Sequence, residues 1–377
     1  MLALGVIGSS RKESEQRLPL HPDHFEFLPE SVRSSMRFET GYGMPFDIAD
    51  EELRRRFGGV AARASLLAGS DVVLLPKPQA EDLRAMRRRG TLWGWAHCVQ
   101  QTDITQIAID RKLTLLAWEA MFSWSNHARD MHVFSRNNEL AGYCGVIHAL
   151  GLTGMDGHYG RPAAASVISH GSVSRGAIYA LIGRGFRDIR VYTLRPSWAV
   201  HDKVIGCRYG QIVGVRSANP LTVVEEDGVR RPLADALAEA DVIVNGTLQD
   251  TDQPLLFLHA GEEQRLAPGT LIVDVSCDLA MGFPFARPTS FERPTFAVGP
   301  ATYYGVDHTP TYLWRSASWE LSRVVVAFIE AVMNGPEAWD KCETLCRAIE
   351  IRQGVIQNDK ITRFQKRTGE YPHEVCA

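Results

Sequence analysis

The sequence lacks the features that mark membrane, secreted and nucleic-acid-binding proteins. None of its apolar runs approaches the roughly 18–20 residues that span a bilayer. The apolar stretch at residues 1–8 lacks the basic n-region of a secretory signal. It therefore favours a buried first strand. Acidic and basic residues nearly balance, 44 against 41, so bulk charge does not attract nucleic acid or an anionic membrane. We therefore expect a cytoplasmic protein with neither kind of partner.

Cysteine is sparse, and the spacing of the cysteines shows no disulfide framework. The seven cysteines are dispersed, odd in number and form no Cys-x-x-Cys pair, which indicates reduced thiols rather than disulfides. Cys342 and Cys346 lie four apart on a predicted helix, where two small core residues are favoured over metal ligands. We expect no metal site.

Short apolar runs alternate with helical stretches over the first 120 residues, and this alternation is typical of βαβ units with a largely parallel sheet. Strands are predicted at residues 2–7, 36–39, 71–75, 92–96 and 114–117. Helices are predicted at residues 22–27, 47–57, 83–89 and 103–111.

A second α/β run follows residues 128–152, which contain no proline and are predicted as a mostly helical connector. Its strands are predicted at residues 164–169, 190–194, 241–245, 270–275 and, last, 295–298, with helices at 174–183, 232–240 and 316–333 and a tail that is helical and then polar. The connector at 128–152 and the helix at 316–333 indicate that the chain crosses between two domains twice. We predict two Rossmann-like α/β domains with an interdomain cleft: a discontinuous substrate/catalytic domain, residues 1–130 plus 315–377, and a dinucleotide-binding domain, residues 131–314.

Residues 165–177 read as a strand, a tight turn and a helix start, the context that a dinucleotide fingerprint requires. Gly171 occupies the second glycine position, whereas Ser169 and Ser174 occupy the first and third. An ordinary βα turn accounts for this pattern nearly as well, but the further strands that follow favour a nucleotide site.

The end of the next strand indicates which cofactor is bound. NAD enzymes usually carry an acidic residue there for the ribose 2′-hydroxyl, but this chain has Arg195, whose guanidinium suits a 2′-phosphate. A surface arginine at a strand end is the alternative. We favour NADPH over NADH.

Four polar stretches of the first half follow predicted strands, where α/β sheets place their chemistry. They contain Arg17, Lys77, His97 and Glu119. Singly, these residues read as a surface cation, a solvated lysine, a core histidine and a helix-start carboxylate. Together they supply an anion anchor, an acid/base pair and a tuning carboxylate.

The order of these motifs resembles the alanine dehydrogenase, transhydrogenase and fungal-type saccharopine dehydrogenase superfamily, and within it the opine-forming N5-(carboxyethyl)ornithine synthase group. The segments that carry the resemblance are Glu15-x-Arg17-x-x-Leu20, Gly94-Trp95-Ala96-His97-Cys98, Asp274-Val275-Ser276-Cys277-Asp278 and Val306-Asp307-His308-Thr309-Pro310. Alanine dehydrogenases carry Asn-Met where this chain has His308-Thr309, which argues against alanine dehydrogenase's own substrate.

The resemblance implies a role for each matching residue. Arg17 would bind a 2-oxo acid carboxylate, Lys77 and His97 would be the acid/base pair, and Glu119 would lie behind Lys77 and adjust its pKa. The cofactor would be held by Ser169, Gly171, Ser172, Val173, Arg195, Asn245, Gly246, Leu248, Asp278, His308 and Thr309.

The activity we predict is an NADPH-dependent, opine-type reduction that joins an amino acid amine to a 2-oxo acid such as pyruvate through an imine. An amino acid dehydrogenase of the alanine or saccharopine type is the nearest alternative. A cyclodeaminase-like lyase that retains NAD is the second, and a non-catalytic nucleotide sensor is the third. The resemblance and the apolar helices predicted within 128–152 and 316–333 also suggest a homodimer.

Overall fold

The computed structural model describes residues 1–214 and 221–376 and contains two α/β units. Unit 1 comprises Met1–Ser135 and Trp314–Ala377, and unit 2 comprises Arg136–Leu313. Each unit is built on one large sheet, rich in parallel strand pairs. The predicted α/β fold with two domains is confirmed. No helix in the described part of the chain is long and apolar enough to cross a membrane.

The strands in chain order are β1 (Leu4–Val6), β2 (Met36–Glu39), β3 (Val60–Ala61), β4 (Val72–Leu74), β5 (Thr91–Gly94), β6 (Thr114–Ala117), β7 (Phe122–Ser125), β8 (Ala128–His132), β9 (Ala164–Ile168), β10 (Asp188–Thr193), β11 (Cys207–Val213), β12 (Thr222–Val224), β13 (Arg230–Pro232), β14 (Val242–Asn245), β15 (Leu271–Asp274), β16 (Thr295–Val298), β17 (Ala301–Tyr304), β18 (Ile349–Arg352) and β19 (Val355–Ile356).

The α-helices are α1 (Glu30–Arg33), α2 (Asp50–Arg56), α3 (Arg63–Gly69), α4 (Ala80–Ala85), α5 (Thr102–Arg111), α6 (Ser135–Thr153), α7 (Ser172–Gly183), α8 (Leu233–Ala238), α9 (Trp314–Met333), α10 (Pro336–Lys341), α11 (Glu343–Arg347) and α12 (Asp359–Phe364). Residues Pro22–Phe27, predicted as helix, form a 3₁₀ helix with Pro22 in its first turn.

The sheet of unit 1 has the order β19-β18-β6-β5-β4-β1-β2-β3, and strands β6 to β3 run parallel. Its strands are apolar on both faces because helices cover both sides. Val72 and Leu74 enter one core cluster, whereas Val73 between them enters the cluster on the opposite face. Strands β2 and β3 are added on one side of β1, and β4, β5 and β6 are added on the other. The loops after β1 and β4 therefore diverge at a switch point between these two strands.

Unit 2 has a nine-stranded sheet of order β13-β12-β11-β10-β9-β14-β15-β17-β16, parallel from β11 to β17. Here the switch point lies between β9 and β14. Helix α7 follows β9 and packs very closely on α6, since a Cβ at Gly142 would lie 1.8 Å from the Val173 carbonyl oxygen.

Two further predicted elements differ from the structure in type or position. Residues 128–132 form strand β8 rather than helix, because a two-residue turn with Asn126 and His127 at positive φ folds them back on β7. The helix predicted at 83–89 is α4, Ala80–Ala85, and begins earlier because Gln79 and Asp82 form a capping box at its start.

The tail contains secondary structure that the prediction lacked. The strand at 295–298 is not the last in the chain, since β17 follows it and β18 adds antiparallel to β6 in unit 1. Ile349 and Ile351 alternate with polar residues, and Gln353-Gly354 makes the turn into β19 at positive φ. Alternation followed by a glycine turn is a strand-hairpin signal that the interpretation of a polar tail overlooked.

Candidate active site

The polar residues singled out in the first half of the chain follow neighbouring strands of unit 1. Arg17 lies on the loop after β1, Lys77 after β4, His97 after β5 and Glu119 after β6. The carboxyl ends of these four parallel strands share one edge of the sheet. The fold therefore brings the four residues to the same edge, at and beside the switch point.

Lys77 and His97 are in direct contact, with Lys77 Nζ 3.0 Å from His97 Nε2. The backbone of Gly94 makes this possible, because a Cβ there would lie 1.9 Å from the Leu75 carbonyl oxygen. His97 itself adopts φ +48°, a left-handed conformation that is costly for a residue with a side chain. Such strain persists only where surrounding contacts hold it, and it aims the imidazole at the lysine.

Glu119 supplies one of those contacts. Its Oε1 accepts the backbone N–H of His97 at 2.5 Å, whereas its Oε2 is buried without a hydrogen-bond partner. Burial, followed by the charge of Glu350, raises the Glu119 pKa to about 8, although the charge of Lys77 acts in the opposite direction. At neutral pH this carboxyl is therefore mainly in the neutral form.

Arg17 is buried and is already paired within its own loop. Its Nε donates to Glu15 Oε1 at 2.8 Å and its Nη2 to Glu15 Oε2 at 2.5 Å, a bidentate arrangement. The guanidinium also lies over the Trp95 ring at 4.9 Å, and Lys77 Nζ lies 5.9 Å from the same ring. Glu15 is a site residue that the sequence interpretation missed, although the Glu-x-Arg spacing could have suggested the pair.

The fingerprint turn of unit 2 keeps a glycine-like backbone despite its serines. Ser169 has φ +84°, so it adopts the left-handed conformation expected of the first glycine. Gly171 caps the twelve-residue helix α7, which starts at Ser172 and Val173, and a Cβ at Gly171 would meet only Ser169 Oγ, at 3.8 Å. The N-terminus of α7 is thus open in front, as pyrophosphate binding requires.

Ser174 takes the tight position of the third glycine. It is fully buried, and its hydroxyl donates to the Ile168 carbonyl oxygen at 3.2 Å. Gly246, at the end of β14, allows this, because a Cβ there would lie 2.6 Å from Ser174 Oγ. The turn between β9 and α7 therefore fits a dinucleotide, and the serines are compatible with the fingerprint.

Arg195 follows β10 and contacts the same turn. Its Nη2 donates to the His170 carbonyl oxygen at 2.8 Å. Its side chain is exposed. No acidic residue lies between Thr193 and Arg195, where a ribose-binding carboxylate would be expected.

Asn245 and Asp274 end the neighbouring strands β14 and β15 in a buried network. Asn245 Nδ2 and the Cys277 backbone N–H donate to Asp274 Oδ1 at 3.0 and 2.9 Å, and the Tyr303 hydroxyl donates to Asp274 Oδ2 at 3.0 Å. Burial raises the Asp274 pKa to about 7. The network fixes the start of the loops that carry the remaining predicted cofactor residues.

Those remaining residues have different environments. Leu248 is 81% exposed, and burial raises the pKa of the half-buried Asp278 to about 6. His308 is buried, with Nδ1 2.6 Å from Asp307 Oδ1, and the Thr309 hydroxyl donates to the Ala141 carbonyl oxygen at 2.8 Å. His308 and Thr309 are held by unit 2 itself, and their contacts with a cofactor stay predictions.

Two family models of known proteins match this chain, one in each half of the sequence. Residues 6–141 match the family model "Alanine dehydrogenase/PNT, N-terminal domain", and residues 161–359 match "Alanine dehydrogenase/PNT, C-terminal domain". The chain belongs to this family.

The relatives include enzymes with two different names. The chain is 23% identical to N(5)-(carboxyethyl)ornithine synthase of Lactococcus lactis subsp. lactis, covering 82% of this chain and 90% of that protein. It is 22% identical to alanine dehydrogenase of Mycobacterium tuberculosis, covering 94% and 95%. Among solved structures, an L-alanine dehydrogenase superposes with a TM-score of 0.73 at 18% identity, covering 96% of this chain and 99% of the other.

Family membership confirms the resemblance inferred from the motifs. It also confirms the predicted class of enzyme, an NAD(P)-dependent oxidoreductase that acts on amino or imino groups.

Proposed function

We propose that this chain is an NADPH-dependent oxidoreductase that joins the amine of an amino acid to a 2-oxo acid, through an imine, to give a secondary amine. The observation that carries the proposal is the 3.0 Å contact between Lys77 and His97, beside buried Arg17 and a mainly neutral Glu119. A condensation that forms and then loses a carbinolamine needs two groups that exchange protons, and this pair meets the need.

The cofactor would bind on unit 2. The α7 N-terminus with Ser169, Gly171, Ser172 and Val173 would hold the pyrophosphate, and Arg195 would hold the 2′-phosphate. Asn245, Gly246, Leu248, Asp278, His308 and Thr309 would line the nicotinamide side. A bound NADPH supplies the hydride that reduces the imine carbon.

The residues of unit 1 would act on the substrates. Arg17 would orient the 2-oxo acid carboxylate, with Glu15 holding the guanidinium in place. Lys77 and His97 would take the proton that the attacking ammonium loses and return a proton to the carbinolamine hydroxyl, which leaves as water. The iminium that remains accepts hydride to become the secondary amine.

A primary amine rather than ammonia is favoured as the nitrogen donor by two observations. His308-Thr309 stands where alanine dehydrogenases carry Asn-Met, and three of the curated relatives are named N(5)-(carboxyethyl)ornithine synthase. Alanine dehydrogenase activity is the second candidate, because relatives and a well-superposed structure carry that name.

A substrate screen separates the two candidates. Purified protein is mixed with NADPH, one amino acid and one of pyruvate, glyoxylate or 2-oxoglutarate, and both NADPH absorbance and product mass are followed. We expect oxidation only when both substrates are present, and a product that carries both carbon skeletons. Turnover with ammonia and pyruvate alone, giving alanine, would assign the chain to the second candidate.

A further inference from the structure

A glutamine from the C-terminal part of the chain contacts the turn that follows His97. Gln365 lies at the end of α12 and is buried, at 8% exposed. Its Nε2 donates to the backbone carbonyl oxygen of Cys98 at 2.7 Å and to that of Val99 at 3.1 Å. These two residues come directly after His97 in the sequence. The proposed reaction gives Gln365 no role.

The carbonyl group of Cys98 depends on partners from within the protein. Cys98 is buried, and a buried backbone carbonyl without a hydrogen bond is costly. The Thr105 hydroxyl, on α5, and Gln365 Nε2 both donate to it at 2.7 Å. These contacts tie the turn to α5, which follows it, and to the end of α12, so they resist a change in its backbone conformation.

Arg367 determines which way the Gln365 amide points. A guanidinium only donates hydrogen bonds, so the amide atom that Arg367 Nε contacts at 2.7 Å must be the oxygen, Oε1. The NH₂ group of the amide therefore faces the two carbonyl oxygens of the turn, which only accept. Arg367 is itself buried and donates to Gln106 Oε1 at 2.7 Å and to the His373 carbonyl oxygen at 3.1 Å. A buried network thus fixes the direction of the Gln365 donors.

His97 has a backbone conformation that its surroundings must maintain. Its φ of +48° lies in the left-handed region, which is costly for a residue with a side chain. Glu119 Oε1 accepts the backbone N–H of His97, and Gln365 holds the carbonyl groups on the other side. Without the second hold the turn would relax toward negative φ, and the imidazole would move away from Lys77, whose Nζ lies 3.0 Å from His97 Nε2.

We propose that Gln365 is a positioning residue for His97: its two N–H groups hold the turn after His97 in the conformation that keeps the imidazole beside Lys77. Gln365 acts through the backbone and takes no part in proton transfer. Its effect on the geometry belongs to unit 1 alone, whereas its effect on the rate rests on the proposed function. The experiment therefore measures the geometry first, without substrate.

Gln365→Glu tests the direction of the hydrogen bonds without emptying the site. A glutamate has the same length, and its carboxylate still accepts from Arg367, but it presents acceptors to the two carbonyl oxygens in place of donors. Gln365→Met is the second variant, since methionine keeps the approximate length and has no amide. Gln357→Met is the matched control, because Gln357 is an exposed glutamine of the same tail whose Nε2 donates to the Val355 carbonyl oxygen.

The first measurement is the NMR spectrum of the His97 ring. Protein labelled with carbon-13 in its histidine rings gives one Cε1 signal for each of the 12 histidines, and His97→Gln identifies that of His97. Lys77→Met should shift this signal, because Lys77 Nζ contacts the ring. Both Gln365 variants should shift it as well, and Lys77→Met should then add little, because the two side chains have already moved apart. Gln357→Met should leave the signal unchanged.

The second measurement is kinetic and uses the substrates that the screen identifies. In both Gln365 variants kcat should fall about 10- to 100-fold, because a reacting group is displaced. The KM for the 2-oxo acid and the Kd for NADPH should stay within a few-fold of wild type, since Gln365 contacts neither proposed binding site. Gln357→Met should have the kcat of wild type.

An unchanged His97 signal in either folded Gln365 variant would overturn the proposal, and so would a wild-type kcat in these variants with an active substrate pair. Failure of both variants to fold would overturn it too, because the contact would then support unit 1 as a whole and not the position of His97. Shifted His97 signals in a protein that turns over none of the substrate pairs, wild type included, would count against the proposed function and leave the positioning role intact.

Discussion

Arg195 is the residue that we propose selects between the two nicotinamide cofactors. Its guanidinium donates to the His170 carbonyl oxygen beside the fingerprint turn, and the residue is exposed. Arg195→Asp removes a charge-assisted contact with a 2′-phosphate and adds repulsion, so kcat/KM for NADPH should fall about 10- to 100-fold.

Measurement of kcat/KM with both cofactors checks this expectation. Arg187→Asp is the matched control, because Arg187 is an exposed arginine at the opposite end of β10. Wild type that favours NADH, or an Arg195→Asp variant with unchanged preference, would contradict the assignment.

From the Arg17–Glu15 pair we predict that two effects of Arg17 can be measured separately: its effect on 2-oxo acid binding and its effect on the stability of the fold. Arg17→Met removes the guanidinium that pairs with the buried Glu15 carboxylate, which should destabilise the fold by roughly 3–5 kcal/mol and raise KM for the 2-oxo acid. Glu15→Gln in the same protein removes the buried negative charge that has lost its guanidinium and should recover part of the stability.

The KM for the 2-oxo acid should remain high in the Arg17→Met/Glu15→Gln protein. Urea unfolding and initial rates measure the two effects on the same samples. A double variant with wild-type KM would show that Arg17 supports the loop and does not bind the substrate.

For single residues, the sequence predicted which side chains lie at the same edge of the sheet. It did not predict the contacts and backbone conformations that hold them there. Arg17, Lys77, His97 and Glu119 were identified because each follows a strand of the same parallel sheet. The Glu15 partner and the left-handed backbone of His97 depend on loop geometry, which strand order does not determine.

Among the secondary-structure elements, the packing of α6 on α7 positions the fingerprint turn. A Cβ at Gly176 would lie 1.7 Å from the Glu139 carbonyl oxygen, so the helices cannot keep their separation with alanine there. Gly176→Ala should destabilise unit 2 by about 1–3 kcal/mol or more and weaken NADPH binding, because α7 must move.

Thermal unfolding and the Kd for NADPH measure both effects. Gly183→Ala is the control within the same helix, since a Cβ there has nothing within 4 Å. That variant should be neutral or stabilised by up to about 1 kcal/mol. Equal behaviour of the two variants would show that the close approach does not determine the position of α7.

The elements themselves were predictable where one periodicity dominated. Several strands are short apolar runs between turn signals, and the parallel strands β2 and β6 and the antiparallel strand β16 have the predicted bounds. Strands β8 and β18 were not predicted, because each is recruited by an antiparallel partner, and a β-bulge at Glu350 depends on that pairing. Local propensity does not contain such information.

For the whole molecule, buried carboxyls make stability depend on pH. Asp274 has its pKa raised by burial to about 7, so the folded chain retains a proton that the unfolded chain loses near its ordinary value of 3.8. The stability that Asp274 contributes in its protonated form is therefore present below about pH 4 and is lost as pH rises to 7.

The free energy of unfolding of wild type, relative to Asp274→Asn, should fall over this range by up to about 1.4 kcal/mol per pH unit. Urea unfolding at several pH values measures this difference. Asp227→Asn, at an exposed position of the same unit, should show a difference from wild type that does not vary in this way. A pH-independent difference for Asp274→Asn would contradict the raised pKa.

The predicted homodimer and cytoplasmic location stay predictions. Part of the reasoning for a dimer came from the apolar helix now seen as α9. Leu321, Val325, Ile329 and Val332 of α9 are buried in a core cluster of unit 1, so packing within the chain accounts for that face.

The activity of Lys77→Met tests the central claim most directly, namely that proton transfer occurs at the Lys77–His97 pair. The substitution keeps the approximate shape of the side chain and removes the ammonium that lies 3.0 Å from His97 Nε2. With the substrates that the screen identifies, kcat should fall about 100- to 10,000-fold while the Kd for NADPH stays within a few-fold of wild type. Full activity of Lys77→Met with any substrate pair would contradict the account.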